Sequence, residues 1–442
     1  MLGGIYAIAF LSFGVQALGL AGSQGILPVA DFLRAVRQGA GAAAYHEVPT
    51  LLWLNASDAA ITALWILGAA LGIAAAAGWR QRAVLAACLV LWLSVCAAGQ
   101  EFLAFQWDYL LAEAGFLAIF ADESPVRVWL FRWLLFRLMF FSGVVKLASH
   151  DPTWRNLTAL QYHCETQPLP TPLAWFMFQL PAAFQKFSTA LVFVAELIVP
   201  LTFFGPRRVR RAGAAFTVLF QFLILLTGNY TFFNWLTIAL CLWLVIEPDR
   251  ALPRPLPHRA VSAVLAGFIA LMSALLCLAQ FGGPLPPGGA AILHAADPLR
   301  LVNSYGLFAV MTTTRPEIIV EGSRDGETWL PYEFRFKPGD PARMPPLVAP
   351  YQPRLDWQMW FAALGTYQQN RWFVNFMVRL LQGDRTVLEL LANNPFGDTP
   401  PKYVRARVYE YRFTRFGEKG WWRREEKGLY FPGVSLKRQS AP

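Results

Sequence analysis

The sequence predicts a polytopic α-helical membrane protein of about nine spans, carrying a β-rich extramembrane domain at its C-terminal end. Three observations carry that expectation. The 442 residues are 56% hydrophobic and only 15% charged, against roughly 45–50% apolar and about 25% charged in soluble domains. Apolar runs long enough to cross a bilayer, roughly 17–25 residues each, recur up to Gln280 and then stop. Beyond that point, alternating segments and turn residues take over.

The runs lie near 2–20, 58–78, 83–99, 101–120, 127–148, 183–204, 211–228, 231–247 and 259–280. The first continues into Gly22-Ser23-Gln24-Gly25 instead of a small-residue cleavage site, so it reads as a retained span. The third is short and the fourth carries charges. Lys and Arg placement sets orientation. Arg207, Arg208, Arg210 and Arg211 form the strongest inside cluster, with Arg250, Arg254 and Arg259 as the second. Two spans joined by the Gly228-Asn229-Tyr230-Thr231 turn separate these clusters, so both fall on one side. Counting back places Arg80, Arg82 and Arg127 there too. Segment 21–57, the stretch 149–182 and everything after 280 then share the outer compartment. The formal charge of +10 therefore reflects topology and anionic headgroups, and no nucleic-acid partner is expected.

Domain boundaries follow: a helical transmembrane domain over 1–280, a linker over 281–297 and a β-rich domain over 298–442. Gly282–Gly289 is a linker by composition. Glu317–Gly322 and Thr328–Lys337 read as a hairpin turning at Ser323-Arg324-Asp325-Gly326. Trp357–Leu364 and Trp372–Leu391 have helical spacing, broken by Gly383. Tyr403–Phe413 alternates, with a change of phase near Val408 that predicts a bulge. The basic, aromatic stretch Gly417–Pro442 is expected to return to the membrane surface.

Inside 149–182, the stretch Asn156–Pro181 is too polar at its start to span, yet sits between two apolar runs. Pro168, Pro170 and Pro172 fix their own φ and bias their predecessors to extended geometry. A stiff elbow should result, followed over Leu173–Leu180 by a short helix in the membrane interface, where Trp175 would settle. Leu157–Leu160, Tyr162-His163 and Glu165–Trp175 closely resemble the lipase maturation factor family. Tyr305–Thr312, Arg315–Ile318, Glu321–Ser323, Tyr332–Phe334, Lys337–Asp340, Pro350–Gly365 and Asn394–Phe396 resemble that family's C-terminal signature. The resemblance implies a multi-span membrane protein that assists folding or assembly of secreted lipases in the endoplasmic reticulum of animals. Richness in Ala, Gly, Pro and Arg points to a bacterial member, in the inner membrane with its C-terminal domain outward.

Charges inside apolar runs pair or line cavities. The fourth run carries Glu101, Asp108 and Glu113; the fifth carries Arg132, Arg137 and Lys146. In an antiparallel hairpin turning near Glu123, depth matches Glu113 with Arg132, Asp108 with Arg137 and Glu101 with Lys146. Face matching is poorer, since Glu113 and Arg137 leave the faces that the other four share. A structural network with at least one direct pair is one reading. A functional polar cavity is the other. Phe140–Lys146 resembles a segment of the membrane superfamily that includes vitamin K-dependent carboxylase, which implies chemistry on a lipid or quinone. On that alternative Lys146, Glu101 and His163 would be the catalytic candidates.

His150-Asp151 and His163-Cys164-Glu165 are the acid–base clusters outside the runs. Adjacent Cys and His side chains diverge and make no dyad. Without a CxxC or HxxxH pair, no metal or cofactor is expected. Cys88, Cys96, Cys241 and Cys277 lie in apolar runs and give no disulfide framework. The sequence has neither a nucleophile elbow nor a phosphate loop, so folding help would come from binding alone. Expected partners are membrane lipids and a secreted lipase or other exported client. Its expected binding surface is Tyr162, His163, Glu165, Trp175, Arg354, Asp356, Trp357 and Trp360.

Overall fold

The computed structural model describes residues 1–122, 124–249 and 255–436, so Glu123, Arg250, Arg254 and the last six residues lie outside the described residues. The N-terminal helices are α1 (Leu2–Gly14), α2 (Asp58–Ala76), α3 (Gln81–Ala98), α4 (Gln106–Ile119) and α5 (Pro125–Ala148). The elbow supplies α6 (Ala159–Thr166) and α7 (Pro172–Phe178). Then come α8 (Ala182–Phe193), α9 (Arg207–Thr227), α10 (Phe233–Val245) and α11 (Leu256–Gln280).

Six of these are long and apolar enough to cross a membrane: α2, α3, α5, α9, α11, and α8 with its continuation to Phe204. The other three fall short of the expected spans, each for its own reason. α1 breaks at Val15-Gln16, where the Gln16 amide turns to the Gln352 carbonyl at 2.7 Å and accepts the Arg354 N–H at 2.8 Å. α4 starts only at Gln106 because Gln100–Leu103 forms a separate 3-10 turn. α10 ends before Glu247-Pro248, where proline disfavours helix in its predecessor. α1 and α2 touch through small residues: a Cβ on Gly72 would lie 2.6 Å from the Ala7 nitrogen. α8 widens into a π turn at Val194–Ile198 just before Pro200, which has no N–H to donate. That turn carries Glu196.

The helices end in two unlike groups. At one end Arg127 and His258 meet Asp122 at 2.5 and 2.7 Å, Arg82 reaches the Ala121 carbonyl, and Arg210 meets Glu247 at 2.6 Å. At the other end the elbow, segment 17–27 and the C-terminal domain pack together. The linker is looped through Pro287 but closes into a helix at Gly289–Ala296, where an unbroken linker was expected.

In the C-terminal domain the sheet order is β2-β1-β5-β6, with β1 Pro316–Ser323, β2 Leu330–Pro331, β5 Tyr403–Phe413 and β6 Trp422–Val434. β3 (Glu333–Phe334) and β4 (Leu391–Asn393) form a separate pair. The expected second hairpin strand is thus split, because Pro331 cannot continue the ladder. β5 and β6 pair antiparallel with register shifts between Val404 and Tyr409. Over its described residues the last stretch, expected to return to the membrane surface, forms the edge strand β6 instead, with Arg423–Lys427 exposed and Trp422 and Phe431 buried in the domain. Helices α12 (Arg354–Ala363) and α13 (Arg371–Gln382) cover the sheet, α13 ending at Gly383 in left-handed geometry.

Candidate functional site

None of the depth-matched charge pairs forms. Arg132 instead donates to the Trp243 and Ile246 carbonyls at 3.0 and 2.7 Å, capping the end of α10. Arg137 pairs with Glu113, the two residues whose faces departed from the rest. Glu113 also accepts from the Tyr305 hydroxyl at 2.7 Å and the Asn303 N–H at 2.9 Å. Asp108 receives both guanidinium nitrogens of Arg354 at 2.9 Å. Glu101 is exposed, and its carbonyl accepts from the Gln358 amide. Lys146 donates to both Glu196 oxygens at 3.0 and 2.7 Å, to Ser142 O at 3.1 Å and to Leu307 O at 3.0 Å. A helix hairpin cannot satisfy these groups alone, so chain from after residue 300 completes the set. Glu196 was missed in the sequence although the rule that drew attention to the fourth and fifth runs applies equally to it.

The elbow is held by the same logic. A proline-rich segment has few N–H donors of its own, and its buried carbonyls must find partners elsewhere. Arg315, at the foot of β1, donates to the Glu165, Gln167 and Pro168 carbonyls, the first at 2.7 Å and the last at 2.9 Å. Its charge is met by Glu317 at 2.8 Å, which also takes Lys337 at 2.9 Å. The Glu165 carboxylate accepts the Phe413 N–H at 2.9 Å; burial raises its pKa, against that hydrogen bond. Asn229 bridges three segments, donating to the Leu169 and Pro346 carbonyls and accepting from Val348. Arg315, Glu317 and Lys337 lie in segments that carry the family resemblance and Asn229 in the expected turn, but nothing in the sequence assigned them to the elbow.

The residues expected to face a client are mostly inside this joint. Arg354 and Asp356 are buried, and Asp356 accepts the Phe336 and Lys337 N–H groups. Trp357 packs on Trp107 with ring centroids 4.9 Å apart. Trp360 donates to the Thr166 carbonyl at 2.9 Å. Trp175, expected at the lipid interface, turns inward: its indole N–H meets Thr414 at 3.0 Å, and its ring joins a cluster with Phe413 and Trp422. Tyr162 and His163 are half-buried. Cys164 is buried, and burial with the nearby Glu165 charge pushes its thiol up to about 12, so no thiolate is present near neutral pH.

Beneath the elbow lies a cavity of about 550 Å³ bounded by α5, α7, α8 and α9. Leu138, Met139, Val192 and Phe220 line its depth; Lys146, Glu196, His163 and Tyr230 give it one polar wall. Its rim includes Leu173, Phe176, Phe184, Phe187 and Leu226, all exposed. Among the described residues no group of three or more His, Cys, Asp or Glu could hold a metal ion.

Two family models match the chain: the lipase maturation factor transmembrane domain over residues 1–251, and the lipase maturation factor C-terminal domain over residues 301–432. The chain is 37% identical to lipase maturation factor 2 of Gallus gallus, across 98% of its own length and 80% of that protein. It is 36% identical to lipase maturation factor 2 of Homo sapiens, with 98% and 81% covered. Lipase maturation factor 1 of Bos taurus is 36% identical, with 98% and 87% covered. No solved structure matches the chain.

Proposed function

The chain belongs to the lipase maturation factor family, and from that premise we propose that it is a membrane-bound, ATP-independent maturation factor for a secreted lipase or another exported protein. The observation that carries the reading is the joint: the C-terminal domain is fastened to the helices by Arg354–Asp108 and to the elbow by Arg315. Such a domain acts as a fixed platform at the membrane surface, able to meet a client as it emerges from translocation. On this reading Glu165, Trp175, Arg354, Asp356, Trp357 and Trp360 hold the platform's shape. Tyr162, His163 and the exposed end of α12, with Phe361 43% and Leu364 45% exposed, offer apolar contact to an unfinished client.

The finer topology belongs to the same proposal. α1, α4 and α10 cross together with the six long helices, giving about nine spans. The basic helix ends face the cytoplasm, and the C-terminal domain faces outward from a bacterial inner membrane or into the lumen of an endoplasmic reticulum. Lys146 favours no enzymatic reading, since its three hydrogens are already engaged. A photo-crosslinking residue at Leu364, in cells secreting a lipase, should capture that lipase before it is active. Deleting the gene should lower the lipase's specific activity more than its secreted amount. Adducts with lipids alone, together with fully active lipase from deleted cells, would remove the proposal.

A further inference from the structure

We propose that the cavity beneath the elbow takes one acyl chain of a bilayer phospholipid, which enters sideways through a slit between α8 and α9. The two helices meet near the Gly205 turn, where Gly213 leaves no room for a Cβ against Thr202. Towards the elbow the cavity of about 550 Å³ lies between them. Phe187 on α8 and Leu223 on α9 stand about equally far along the chain from that turn. Both line the cavity, and they are 60% and 53% exposed, so they are the lips of an opening. Phe184 and Leu226, nearer the elbow, repeat the pair. α9, and α8 with its continuation to Phe204, are both long and apolar enough to cross a membrane. The opening between them therefore faces hydrocarbon and not water.

The roof of the cavity is α7, whose two faces separate at helical spacing. Leu173, Phe176, Met177 and Leu180 line the cavity, while Trp175 and Phe178 turn to Phe413 and Trp422 of the C-terminal domain. Leu138 and Met139 of α5 close the far wall. Polar side chains of the lining are bonded within the protein. Lys146 gives its three hydrogens to Glu196 and to the Ser142 and Leu307 carbonyls. Ser142 donates to the Leu138 carbonyl at 2.7 Å, Tyr230 to Gln167 Oε1 at 3.0 Å, and Gln221 accepts from Asn234 at 2.8 Å. Water would need about two to four polar partners there, whereas a hydrocarbon chain gains dispersion contacts with walls that otherwise lack them. Among the described residues Lys146 is the lining's one ammonium or guanidinium, and Glu196 holds it. Nothing inside then favours a free fatty-acid carboxylate over the phospholipid that already stands at the slit. The phospholipid head group stays at the edge of the roof, beside the exposed Phe176 and Leu180.

The test uses the full chain in nanodiscs of phosphatidylcholine with a diazirine on one acyl chain. Photolabel should reach the segment around Met139, which is buried behind the slit and out of reach of a chain lying on the outside of the helices. Leu223→Trp places bulk on an exposed lip and should abolish that label, with the melting profile and the label at the exposed Leu219 unchanged. Phe187→Ala only removes bulk from the opposite lip and should strengthen it, which keeps the test decisive if the tryptophan variant folds poorly. A free fatty acid at the same mole fraction should not reduce the Met139 label. Label confined to outward positions such as Leu219, or a Met139 label that neither substitution changes, would overturn the site. Displacement by the fatty acid would assign the cavity to that ligand, and protection by added lipase would assign it to a client; either result overturns the phospholipid.

Discussion

Removing one partner of the Asp108–Arg354 pair should free the C-terminal domain from the helices. Both residues are fully buried, and the guanidinium makes two 2.9 Å bonds to the carboxylate and a 2.7 Å bond to the Phe102 carbonyl. Asp108→Asn keeps the shape and strands a buried cation; Arg354→Met strands a buried anion. Breaking such a pair costs about 3–5 kcal/mol, whereas replacing both members by neutral groups is often near neutral. The double variant should therefore recover most of the loss, with a coupling of about 2–4 kcal/mol, far above the roughly 0.5 kcal/mol scatter of independent sites. Denaturant unfolding in mixed micelles gives the four free energies. Proteolysis within 282–289 reports whether the C-terminal domain has let go. If both single substitutions cost under about 1 kcal/mol, or if their effects simply add, the pair does not fasten the joint.

Glu101→Gln should leave stability within about 0.5 kcal/mol and lipase maturation intact, because the carboxylate is exposed; loss of maturation with normal folding would revive a catalytic role. Lys146→Met should destabilise by roughly 3–5 kcal/mol through the unpaired Glu196, and adding Glu196→Gln should restore most of it, read by the same unfolding assay. Trp175→Ala should cost about 3–5 kcal/mol of local stability and expose the elbow to protease near Pro168, since the indole joins α7 to Thr414 and Phe413. For His163, the folded pKa of about 4 lies below the ordinary 6.5, so the unfolded chain binds the extra proton. Stability is then fully present above pH 6.5 and falls towards pH 4 by on the order of 3 kcal/mol; His163→Phe should flatten that slope, and an unchanged slope would refute the assignment.

What could be read in advance was local. Pro168, Pro170 and Pro172 constrain their own backbone, so the extended stretch between Gln167 and Thr171 followed from sequence, though the helix Ala159–Thr166 before it did not; the bulge within Tyr403–Phe413 followed from its change of phase. The end of α1 was not legible, because a tertiary contact, Gln16 with Gln352, lies where that helix stops. The Arg354–Trp360 segment looked like a sticky surface because aromatic residues serve binding and packing alike. Which of the two applies depends on Trp107 and Phe105, about 250 residues earlier in the chain. Depth matching failed for a related reason. It assumed that two neighbouring helices hold each other's charges, and the guanidinium that Asp108 needs comes from another domain.

That dependence has a consequence for the helical domain taken alone. Glu113 relies on Asn303 and Tyr305, Arg137 on the Asn303 carbonyl, Lys146 on the Leu307 carbonyl and Asp108 on Arg354. A fragment ending at Gln280 keeps every long apolar helix yet loses all of these partners. One unpaired buried Asp108 already costs several kcal/mol, a large share of a typical 5–15 kcal/mol. The fragment should insert and then be degraded or aggregate, while co-expression of 281–442 as a separate chain should rescue it by returning the Arg354 and Asn303–Leu307 contacts. A monodisperse 1–280 fragment that unfolds as cooperatively as the full chain would show that the helices supply their own counter-charges. The C-terminal domain would then be an attachment, and no longer the piece that completes the helical core.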